Sequence, residues 1–141
     1  MAAIDVILAP DVYVNASVAL KSPPEQVVQR VLAKHKGECG ISKWILERAQ
    51  QMLKAIPEFK DEAIKPQLQT IIDHTKLVDE DGQHDPNDWA AALVAAAKSA
   101  GVERVVTDHP DLLEKETVDG VEFLSCDAWL VEQTTPPPFE G

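Results

Sequence analysis

Only two of the 141 residues are cysteine. Cys39 and Cys126 stand far apart and outside any Cys-x-x-Cys spacing. Two reduced, partly buried thiols are the expectation. No run of about eighteen apolar residues is present, so no transmembrane span is expected. The N-terminus has no basic segment leading into an apolar one, so no secretory signal is expected either, and the reading is a cytoplasmic protein. Cations are scarce as well: 13 Lys and Arg face 24 Asp and Glu, a net charge of −11. General nucleic-acid binders are usually basic because phosphate contacts dominate their affinity. The imbalance leaves three readings open: the partner is no polyanion, some acids surround a metal that reverses the local sign, or a basic partner covers the surface.

What the chain does have is apolar content, 45% of its residues. At this length that suffices for one domain with a core of its own. The stretch Asp85-Pro86-Asn87-Asp88-Trp89 opens the most legible unit. Asp85 suits an N-cap with Pro86 at the first helical position. Trp89–Ala100 is nearly all alanine and predicts a helix that other elements can approach closely. Gly101 suits the helix end, and Arg104–Thr107 reads as a short β-branched strand ending at Asp108. Carboxylate, helix, turn, strand, carboxylate: in a parallel sheet both acidic ends can reach one crevice at the carboxyl edge.

The remainder alternates strand and helix. Ala2–Ala9 reads as a buried strand, closed by Pro10-Asp11, with a short helix running on to Leu20. A helix opens at Ser22-Pro23-Pro24-Glu25 and stops at Lys34-His35-Lys36-Gly37. Glu38–Ile41 is a weak strand. Ser42 caps a helix through Ile56, and Phe59–His74 is another, with Pro66 as an early kink or the true start. Thr75–Val78 and Val118–Ser125 hold strands, and Cys126–Gln133 a terminal helix. The expected fold is α/β, a three-layer Rossmann-like arrangement with a central parallel sheet flanked by helices, over 1–133. The proline-rich stretch 134–141 is a polyproline-type tail.

Acids stand at element ends: Asp11, Asp85, Asp88 and Asp108, with Glu47 in the first turns of its helix. Helix caps account for some of them, and taken alone Asp11 reads first as the N-cap of the helix that follows it. Caps do not account for Asp11 and Asp108 both following buried strands directly. Carboxylates gathered in one cleft repel unless protonated or bridged by a cation. Oxygen ligands of this kind suit Mg²⁺ or Mn²⁺, which activate water for phosphodiester hydrolysis.

The order of Asp11 after an N-terminal strand, Ser42…Glu47 opening a helix, Asp85-Pro86-Asn87-Asp88 before an alanine-rich helix, and Val105-Val106-Thr107-Asp108…Asp111-Leu112-Leu113 resembles the PIN-domain family. Within it, the likeness is to the bacterial toxin ribonucleases of toxin–antitoxin pairs, and it runs from about Ile4 to Leu130. The resemblance implies a Rossmann-like sheet with acids around one or two Mg²⁺ or Mn²⁺ ions, an RNA substrate, a cognate antitoxin partner and a homodimer. Carried over, Asp11 is the first acid, Glu47 the helical glutamate, Asp88 the third acid with Asp85 beside it, and Asp108 the fourth. Catalysis falls to Asp11, Glu47, Asp88 and Asp108, and metal binding to Asp11, Asp85, Asp88 and Asp108. The chain departs from the family where Val12-Tyr13 stand in place of Thr-Asn. Aligned on Ser42, Arg48 takes the glutamate position; aligned on Asp111-Leu112-Leu113, His109 takes that of the fourth acid.

Three functions follow in order of preference: a metal-dependent endoribonuclease, the toxin of a pair; a degenerate PIN-like domain that binds or scaffolds without cutting; and an unrelated α/β protein whose acids are caps. Trp44, Trp89 and Trp129 each start a helix and read first as packing residues, and Lys34, Lys36, Lys43 and Arg48 as a solvated face. His109 reads as a polar loop residue or as a base or ligand in place of a carboxylate.

Overall fold

The structure is a computed structural model that describes residues 6–19, 21–34, 39–57, 59–78 and 87–134. In chain order the elements are β1 (Val6–Leu8), α1 (Pro10–Val18), α2 (Pro23–Lys34), β2 (Cys39–Ile41), α3 (Lys43–Lys54), α4 (Asp61–His74) and β3 (Lys76–Leu77). Then come α5 (Trp89–Ala100), β4 (Arg104–Val106), α6 (Pro110–Lys115), β5 (Thr117–Val118), β6 (Val121–Leu124) and α7 (Cys126–Thr134). The strands form one six-stranded sheet in the order β3-β2-β1-β4-β6-β5. All neighbours run parallel except the edge hairpin β5–β6. The expectation of an α/β chain around a central parallel sheet holds for five of the six strands, and β5 at the edge departs from it.

The strand order steps one way from β1 to β3, then jumps back across β1 to β4. Right-handed crossovers therefore send the helices between β1 and β3 to one face and α5 to the other. Packing agrees: α1 touches α2 and α3, α3 touches α4, and α7 touches α2, while α5 lies on β1, β2 and β4. The reversal between β1 and β4 opens a crevice at the carboxyl edge, where such sheets place their sites. Val6, Ile7, Leu8, Val105 and Val106 are buried on both faces, which explains their unbroken apolar runs.

Local chemistry explains the boundaries. Ser42 accepts from the Ile45 amide at 3.1 Å and caps α3. On α5, Ala92, Leu93, Ala96 and Ala97 are wholly buried, the small side chains letting the helix lie close on the sheet. Gly101 ends it at φ 76°, the left-handed conformation a C-terminal glycine supplies. Both cysteines are free and buried.

Three boundaries differ from expectation. The α5 cap is Asp88, which accepts from the Ala91 amide at 3.1 Å, so the helix starts at Trp89 rather than Pro86. Asp85 and Pro86 lie outside the described residues. Pro66 does not begin α4, which starts at Asp61 and carries the proline inside it; the carbonyl of Pro66 accepts from the Thr70 hydroxyl at 3.0 Å. Asp11 is not the cap of α1: Ala9 occupies that place and Asp11 sits in the first helical turn. Of the proline-rich stretch only Thr134, the last residue of α7, is described. No helix among the described residues is long and apolar enough to cross a membrane.

Candidate functional site

Leu8 of β1 and Val106 of β4 are paired, so the residues that follow each strand emerge side by side. Asp11 comes off one and Thr107-Asp108 off the other. The Thr107 hydroxyl donates to Asp11 Oδ1 at 2.8 Å, and the Asp108 amide donates to Asp11 Oδ2 at 2.8 Å. Thr107 is in turn bonded by the His109 amide at 3.0 Å, which fixes its hydroxyl proton toward Asp11. Asp108 reaches the other way, its Oδ1 accepting from the Cys126 amide at 3.0 Å. A continuous hydrogen-bonded seam thus joins α1, β4 and the start of α7.

Asp11 is 7% exposed. Burial raises its pKa above the ordinary 3.8; the Asp108 amide and the Thr107 hydroxyl oppose this, and the Asp108 charge adds to it. Burial, reinforced by Asp108, also pushes the Cys126 thiol up, so this cysteine is no nucleophile at neutral pH.

The other carried-over acids stand apart from the seam. Glu47 is exposed on α3 and pairs with Lys43 at 3.7 Å, one turn away. Asp88 caps α5 and lines a cleft of about 340 Å³ with Asn87, Trp89, His109, Asp111, Leu112 and Lys115. Asp85 lies outside the described residues. The structure therefore brings Asp11 and Asp108 together, sets Asp88 on a neighbouring cleft, and turns Glu47 to its helical neighbour.

Two of the residues lining that cleft, Trp89 and His109, continue an aromatic row that reaches the buried Trp44 and Arg48 beside it. Trp44 meets Trp89 edge to face with centroids 5.6 Å apart, and Trp89 lies 5.0 Å from the His109 ring. The Arg48 guanidinium is 5.5 Å from the Trp44 centroid, and its Nη2 reaches Asn87 Oδ1 at 3.4 Å. His109 is also the cap of α6, its Nδ1 accepting from the Asp111 amide at 3.3 Å. Arg48 and His109 thus stand at either end of the Trp44–Trp89 contact.

A hard dication wants about six oxygens and accepts one or two carboxylates with water making up the rest. Asp11 and Asp108 are a donor set of that minimal kind. Both Asp11 oxygens and Asp108 Oδ1 already accept hydrogen bonds. Among the described residues no group of three or more His, Cys, Asp or Glu side chains is placed to hold a metal ion.

Sequence reasoning missed Thr107 and Asn87. Thr107 carried a signal, a hydroxyl residue between a buried strand and an acid; Asn87 carried none beyond its place in a turn. Compared with known proteins, the chain matches no family model and no curated protein.

Proposed function

We propose that this chain is a PIN-like domain that holds single-stranded RNA without cutting it. The observation that carries the reading is the pair of rings Trp89 and His109 lining the cleft, with Lys115 on its wall and Arg48 over the neighbouring Trp44. A base can stack on the half-buried Trp89 ring, and the phosphate it carries can meet Arg48 or Lys115. The net charge of −11 keeps unselective attraction for polyanions low, so affinity comes from stacking and a few directed cations. Titration of fluorescent single-stranded RNA at low salt tests this. Binding that Trp89→Ala weakens at least tenfold, with the RNA intact after incubation with Mn²⁺, is expected. No binding across oligonucleotides of varied sequence would overturn it.

The contact between Asp11 and Asp108 favours a second reading, the metal-dependent endoribonuclease of a toxin–antitoxin pair, with a cognate antitoxin and a homodimer as its partners. Those two carboxylates would hold Mg²⁺ or Mn²⁺, which supplies an activated water. In that case Mn²⁺ raises the melting temperature, Asp11→Asn abolishes the rise, and RNA is cut. An unchanged rise in the variant removes the seam as the metal site.

A further inference from the structure

The seam does not end at the crevice. α7 leaves the carboxyl edge at Cys126, whose amide donates to Asp108 Oδ1, and runs back against α2 toward the start of β4, where Glu132 meets Arg104. Its nine residues span roughly 13 Å at about 1.5 Å per residue. At the far end Glu132 is gripped by the Arg104 guanidinium through both Nη atoms. Arg104 also donates from Nε to Glu122 Oε1 at 3.0 Å, across the β4–β6 pair. The helix buries little of itself: Cys126 and Trp129 are inside, while Val131 is 61% exposed. One strand, β4, thus holds both ends of α7, with Arg104 entering that strand and Asp108 just beyond it.

We infer that α7 is a strut whose docking is coupled to the Asp11–Asp108 pair, so that loosening its Arg104 end is felt at the crevice. Asp108 is the joint. Its carboxylate holds the start of α7 while its amide holds Asp11, and a shift of one end moves the other. The converse follows by linkage: a ligand that draws the Asp108 carboxylate away from Cys126 loosens α7. This holds whether the crevice binds RNA or cuts it.

Amide hydrogen exchange of the full chain, read residue by residue, tests the coupling. Arg104→Gln is expected to speed exchange about threefold at Cys126 and at the Asp108 amide, the scale of an exposed bidentate pair. Glu132→Gln, which keeps the Arg104–Glu122 contact, should act in the same direction. Lys98→Gln, which removes the separate exposed pair with Asp119, should leave both amides unchanged. Faster exchange within α7 alone, with the Asp108 amide unaffected in both Arg104→Gln and Glu132→Gln, would overturn the inference. So would unchanged exchange everywhere.

Discussion

Two regions meet over the carboxyl edge of this sheet, and they spend their polar groups differently. In the seam, Asp11 and Thr107 are buried and bonded to each other across 96 positions of sequence. In the rim, Arg48, Asn87, Asp88 and His109 are at least partly exposed and touch rings or helix ends. A carboxylate that is buried and saturated contributes to folding, because removing it strands its donors in a dry place. Polar groups around the half-exposed Trp89 and His109 rings contribute little to folding and keep surface for a ligand. The seam should therefore govern stability and the rim affinity.

The largest test of that division is Asp11→Ala. It leaves the Thr107 hydroxyl and the Asp108 amide without an acceptor and should cost about 3 kcal/mol in urea unfolding. The matching rim variant, Arg48→Ala, should stay within about 0.5 kcal/mol. Equal losses would erase the distinction. Next is Trp89→Ala, expected to cost about 1–3 kcal/mol of RNA affinity by loss of stacking. Affinity equal to the parent's would shift the binding surface off the rim. Smaller still, Asp88→Ala should cost about 1 kcal/mol of stability through the lost α5 cap, while Asp88→Asn or Asp88→Ser recovers most of it. A loss that Ser does not restore would mean that Asp88 does more than cap.

The same division marks how far the sequence could be read. Elements built from local chemistry were legible: Ser42 as a cap, the alanine-rich face of α5, Gly101 at its end and the continuous apolar strands. The crevice was legible as a place, since acids after two strands of a parallel sheet must emerge at one edge. The partners of those acids were not. Whether Asp11 meets Thr107 or open water depends on the pairing of Leu8 with Val106, a long-range register that no local window contains. Arg48 and Asn87 lie 39 positions apart, and the T-shaped contact of Trp44 with Trp89 is equally non-local. The start of α5 was missed for a local reason: Asp85-Pro86 and Asp88-Trp89 both satisfy cap chemistry, and composition does not rank them.

The smallest predicted effect is the one most specific to the seam. Burial raises the Asp11 pKa above 3.8 in the folded chain, against the pull of its two hydrogen bonds. A raised acid binds its proton more tightly when folded. Its contribution to stability is thus fully present below the unfolded value and is lost as pH climbs through the folded one. The comparison that isolates it is the unfolding free energy of the parent minus that of Asp11→Asn, measured between about pH 3.5 and 7. Because Asn does not titrate, the difference should fall as pH rises from the unfolded value and then level off once Asp11 is ionised. A difference that grows with pH instead would mean that the Thr107 hydroxyl and the Asp108 amide outweigh desolvation. Asp11 would then be an ionised anchor, and the seam would resemble the rim more than its burial implies.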